Sequence, residues 1–127
     1  MKKIICALFL FCSLFFAFSQ EKTAKKVVEL SLKEDSPSDA VLFIQNEIKN
    51  ISVLAEKRSL YAFLGTLQET LSMYDDARKS YVAAAGIGAK DAEGMMKKSS
   101  EELVIDAVRC ALSGGQADLA LQYLNSA

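Results

Sequence analysis

Few residues of this sequence have both the type and the spacing to carry chemistry. Asp75 and Asp76 stand side by side, and paired carboxylates are what general acid–base catalysis uses. Ser72 lies three residues ahead of Asp75, which gives the acids another role. A serine before a helix accepts a backbone N–H, and acidic side chains in the first turn favour the helix dipole. Capping accounts for their position, and no other catalytic group stands nearby. Gly86-Ile87-Gly88 has the small residues a phosphate cradle needs, but no apolar strand precedes it and no Lys-Ser/Thr follows at phosphate-loop spacing. It reads as a helix stop. Cys110 is a candidate nucleophile, yet the chain has no histidine, which removes the commonest activating base and metal ligand together. The thiol reads as a small hydrophobe in a helix. Metal-ligand spacings, cofactor loops and a nucleophile elbow are all missing, so the sequence points away from an enzyme, with no catalytic residue, metal or cofactor assigned.

Stepping along the 127 residues, the first segment is set apart from the rest. Lys2 and Lys3 precede an apolar run from Ile4 to Phe18 interrupted by Ser13, and Ala17 and Ser19 supply the small residues that a signal peptidase reads. The run is shorter than the roughly 18 residues of a membrane span. The expectation is a signal peptide over 1–19 and an exported domain over 20–127, periplasmic or extracellular. The alternative is an anchored form with the segment retained, or lipidated at Cys12, although Phe11 is bulkier than the residue that usually precedes a lipidated cysteine. Removing Lys2 and Lys3 leaves 13 basic side chains against 16 acidic, a net charge of −3. That balance argues against a nucleic-acid partner. Only Cys110 remains of three cysteines, so no disulfide forms within the exported chain.

The domain reads as all-α. A first helix over 20–33 places Ala24, Val27, Val28, Leu30 and Leu32 on one side. Ser36 as N-cap, Pro37 as first helical residue and Asp39 as capping-box acid start a second helix, with Ala40, Val41, Phe43, Ile44 and Ile48 on its apolar side. From Leu60 to Ala85, Tyr61, Leu64 and Leu71 recur at helical steps. Tyr74, Ala77, Tyr81 and Ala84 restart the rhythm after Ser72, and Val53 to Arg58 form a lead-in. Residues 89–98 read as an insertion; Met95-Met96-Lys97-Lys98 could meet a membrane surface, but with Asp91 and Glu93 alongside it reads as a solvated face. Ser100 is the expected cap of the next helix, with Leu103, Val104, Ala107, Val108, Ala111 and Leu112 on its packed side. Ser113-Gly114-Gly115 turns the chain into a last helix from Gln116.

The middle hairpin resembles a tetratricopeptide repeat (TPR). Tyr61 stands in the position of the motif's Trp, Leu64-Gly65 match its Leu-Gly pair, Tyr74 matches the aromatic opening the second helix, and Ala77, Tyr81 and Ala84 fill the following positions. Gln68 departs where an aromatic is usual, Ser72 where glycine is common, and Ala89 where proline falls. Ala40, 37 residues earlier, and Ala120, 43 residues later, occupy the place of Ala77 in two more divergent copies. The resemblance implies stacked antiparallel hairpins, a TPR-like α-solenoid of two and a half to three repeats over about 21–50, 55–86 and 100–127. It also implies a concave surface on the first helices that docks a protein or peptide, with Lys25 and Glu29, then Ala62, Thr66 and Glu69, then Ile105 and Arg109 as the partner-binding candidates. A plainly solvated face is the competing reading for each. The apolar edge at Leu119, Leu121 and Leu124 suggests self-association or an array shorter than that of its relatives. The function expected is an exported scaffold or adaptor. The alternatives are an envelope-anchored assembly factor and a small-ligand carrier with a pocket between hairpins, with membrane contact only if the signal is retained.

Overall fold

The computed structural model describes residues 22–88 and 98–126. The expected signal peptide, most of the 89–98 insertion and Ala127 lie outside the described residues. Among those residues the fold is all-helical, with six helices in chain order: α1 Ala24–Ser31, α2 Pro37–Ile48, α3 Leu54–Thr70, α4 Tyr74–Gly86, α5 Ser100–Ser113 and α6 Ala117–Ser126. Each packs chiefly on its neighbour in sequence, and α1 also touches α3. None is long and apolar enough to cross a membrane.

Local chemistry sets the boundaries. Thr23 caps α1 by accepting the Lys26 amide at 3.2 Å. Ser36 caps α2 by accepting the Asp39 amide at 3.2 Å, with Pro37 in the first position, where its missing N–H costs no helical bond. The cap of α5 is Ser99 rather than Ser100. Its hydroxyl accepts the Glu102 amide, and the Glu102 carboxylate accepts the Ser99 amide in return, both at 3.1 Å. That reciprocal pair needs the acid three residues on, and Glu102 stands there for Ser99.

Ser72 does not cap α4. Met73 holds the N-cap position without a side-chain bond, while Ser72 lies at φ +59° and closes α3. The Ser72 amide donates to the Glu69 carbonyl and the Met73 amide to the Gln68 carbonyl, each at 2.9 Å. This is the Schellman pattern, whose left-handed residue is usually glycine. The turn from α5 to α6 repeats it with Gly115 at φ +77°, the Gly115 amide donating to Leu112 and the Gln116 amide to Ala111. Asp75, freed from capping, pairs instead with Arg78 at 2.7 Å and Lys79 at 3.1 Å.

Two cores follow. Between the first hairpin and α3 lies an aliphatic core of Ala24, Val27, Val41, Ile44, Ile48, Ile51, Leu60 and Leu64, with Phe43, Tyr61 and Leu67 among the residues against it. Between α3, α4 and α5 lies a core of small residues around one tyrosine, comprising Ala62, Ala77, Tyr81, Ala84, Leu103, Ala107 and Cys110. Gly65 permits the second: a Cβ there would sit 2.9 Å from the Tyr81 ring. Ala40, Ala77 and Ala120 are all buried, each the fourth residue of the second helix of its hairpin. Three expectations need correction. Leu32 and Leu112, assigned to packed faces, are mostly exposed, and Ala62, assigned to a binding surface, is 1% exposed.

Candidate functional site

Helix α3 holds the centre of the molecule, in contact with α1, α2 and α4 and, through Ala62 and Glu69, with α5. On its last two turns it brings together three of the residues expected at the partner surface. The Arg109 guanidinium from α5 grips Glu69 with two bonds, Nε to Oε2 at 2.8 Å and Nη2 to Oε1 at 2.7 Å. The Tyr81 hydroxyl from α4 donates to Glu69 Oε1 at 3.0 Å and lies 3.2 Å from Thr66 Oγ1, which donates to the Ala62 carbonyl at 3.1 Å. Arg109 Nη1 reaches Asp106 at 2.8 Å, and Lys98 Nζ reaches the other oxygen of Asp106 at 2.6 Å. Arg58, buried on α3, donates to the Lys98 carbonyl at 2.9 Å.

The electrostatics follow the geometry. The fork from Arg109 holds the Glu69 carboxyl below its ordinary range, against the opposing pull of partial burial. The Arg109 guanidinium is held protonated above its ordinary value chiefly by that same bond. Burial pushes the Tyr81 phenol well above its ordinary value. Burial, reinforced by Glu69, pushes the Cys110 thiol up to about 11, so at neutral pH it stays protonated and packs as the sequence suggested. Among the described residues no group of three or more Cys, Asp or Glu is placed to hold a metal ion.

This cluster is a bracket between the second and third hairpins. Glu69 and Arg109 spend their polar groups on one another and on Tyr81 and Asp106, and the Thr66 hydroxyl on Tyr81 and the Ala62 carbonyl, while the Ala62 side chain is buried. Lys25 and Glu29 on α1 are exposed, as is Ile105 on α5 at 60%, and none of the three joins the cluster. Asp106 was not singled out by the sequence, and Lys98 was read only as part of a solvated face. The spacing of Asp106 to Arg109 is the familiar helical ion-pair step; Lys98, at the end of the insertion, carried no such signal. A second polar centre, equally unannounced, joins Gln68 of α3 to Ser80 of α4 at 2.5 Å.

Comparison with protein-family models, with curated proteins and with solved structures returns no match.

Proposed function

We propose that the chain is an exported, TPR-like interaction module that serves as a scaffold or adaptor for a protein or peptide partner. The observation that carries the reading is the threefold recurrence of one packing unit. In each hairpin the fourth residue of the second helix is a buried alanine, and the hairpins follow one another in space as they do in sequence. Such arrays bury a core only between neighbours and present long exposed faces, which is the geometry used for docking extended partners. The site residues lend the reading to binding rather than to catalysis, since the charged groups of the α3–α5 bracket are committed to structural pairs. Exported location rests on residues 1–19 and belongs to the same proposal.

The bracket shifts the expected docking surface. Lys25, Glu29 and Ile105 remain solvent-facing candidates, whereas Thr66, Glu69 and Arg109 would contribute only through whatever part of the bracket a partner covers. Leu112, Leu121 and Leu124 project from the last hairpin at 55–57% exposure, and a second copy of this chain competes with a different protein for that edge. The test is co-purification of the chain tagged after Ala127, with intact mass of the mature form. A partner recovered with a chain shortened by 1–19 supports the module. A chain that retains 1–19 and sediments alone or as an aggregate overturns the exported adaptor reading.

A further inference from the structure

The second and third hairpins are in register over both of their helices. Ser72 and Gly115 close equivalent turns 43 residues apart, the interval that also separates the buried alanines Ala77 and Ala120. Each residue of the second hairpin therefore has an equivalent in the third. Four side chains of the second hairpin hold the third in place. Ala62 and Tyr81, each 1% exposed, share a core with Leu103, Ala107 and Cys110 of α5. Glu69 takes the fork of Arg109, and Arg78 Nη1 donates to the Tyr123 hydroxyl of α6 at 2.7 Å. Their equivalents 43 residues on are Ile105, Leu124, Leu112 and Leu121. These are the large apolar residues that the third hairpin exposes, at 55–60%. An exposed leucine taken singly needs no explanation, but four at the positions that seat a following helix make one aliphatic face.

Two observations choose what covers it. Glu69 and Arg78, the charged members of the inner seat, have Leu112 and Leu121 as their equivalents, so none of the four positions selects a charged partner and the complement is another aliphatic helical surface. If copies stacked head to tail, α1 would enter the seat. Its exposed side carries Lys25, Lys26 and Glu29, and laying those on leucines would desolvate charge without pairing it. The surface of this chain that does match the face is the face itself. We propose that two copies associate through it about a two-fold axis, α5 and α6 of one against α5 and α6 of the other, with Ile105, Leu112, Leu121 and Leu124 in the contact. Such a pairing closes at two copies. The helices, of 14 and 10 residues, are about 21 and 15 Å long. That is less than a standard interface of about 800 Å2 per partner, so a weak dimer with a Kd of roughly 10–100 µM is expected. The inference rests on the same hairpin register as the module reading, but gives this one face to a like chain and leaves the others to an unlike partner.

The test is sedimentation velocity on the isolated chain recovered in the co-purification above, over about 5–500 µM to bracket that Kd. The expected mass rises from one copy and levels at two. Leu121→Glu and Leu124→Glu are exposed changes whose folding is checked by circular dichroism. Each should weaken association about tenfold or more, because the contact then takes in unpaired carboxylates. Leu42→Glu, at a leucine 58% exposed on α2, should leave the dimer unchanged. A single copy at every concentration, a mass that climbs past two, or a dimer indifferent to both substitutions overturns the assignment. A single copy whose co-purified unlike protein is lost in Leu124→Glu also overturns it, gives the face to that protein and leaves the module reading intact. A single copy with nothing co-purified removes both.

Discussion

The two junctions between hairpins are made of different materials. Between the first hairpin and α3, aliphatic side chains interlock, and a polar link across it lies at its margin, the Ala24 amide donating to Glu56 at 2.7 Å. Between the second and third hairpins, alanines and a cysteine close around Tyr81, and the bracket of Glu69, Arg109, Asp106 and Lys98 crosses the seam. Aliphatic burial is indifferent to pH and only weakly sensitive to salt, while an ion-paired seam responds to both. The difference teaches that one helical fold can be firm at one joint and tunable at the next. The first substitution tests the firm joint. Leu60→Ala removes a fully buried side chain and should cost about 2–5 kcal/mol in urea unfolding; a loss below about 1 kcal/mol would show that the aliphatic joint collapses to fill the gap.

The seam between the second and third hairpins should fail by crowding instead. Ala77 is fully buried in the small-residue core, and Ala77→Leu should cost about 1–3 kcal/mol by overpacking. Unchanged thermal stability would refute the close helix crossing on which the repeat reading depends.

Arg109→Met at the bracket should cost about 1 kcal/mol at low salt, because the arginine is half exposed and its pairs are partly screened. The cost should shrink in 1 M salt, where the Debye length is about 3 Å. The pH dependence has a definite sign. Glu69 is held below its ordinary value of 4.5 by Arg109, so its contribution is present above that value and is lost as the pH falls through the lower value of the folded state. Glu69→Gln should therefore flatten the acid limb of the stability curve, and parallel wild-type and variant curves below pH 5 would remove Glu69 from the account.

The same contrast explains what was legible in the sequence. Ser36, Pro37, the Leu64-Gly65 pair and the alanines 40, 77 and 120 announce themselves through local spacing, because caps and close crossings are dictated by the residues on the spot. The burial of Ala62 and the pairing of Glu69 with Arg109 were not legible, and α3 is the reason. A helical projection sorts residues into one buried stripe and one wet face, but α3 is covered on several sides, so Ala62 on its supposed outer face is buried. Glu69 and Arg109 lie 40 residues apart on either side of the insertion, a pairing that no local pattern encodes. Gln68 looked like a lapse from the family motif. Its meaning depends on Ser80, twelve residues away on the facing helix.

The smallest effect concerns the two Schellman turns, which lie 43 residues apart, the same interval as Ala77 to Ala120. They are built alike, but Gly115 takes its positive φ without strain while Ser72 at φ +59° carries a Cβ. The left-handed conformation costs a residue with a Cβ roughly 1–2 kcal/mol, of which glycine's larger freedom in the unfolded chain gives back about 0.4–1 kcal/mol. Ser72→Gly should therefore stabilise the chain by about 0.5 kcal/mol in urea unfolding. Gly115→Ser should destabilise by a similar amount, because the same exchange is then run in reverse at the equivalent turn. Equal and opposite shifts would establish that the two hairpins share one turn chemistry. A destabilising Ser72→Gly would mean that the serine hydroxyl contributes more to the α3–α4 turn than its backbone strain removes.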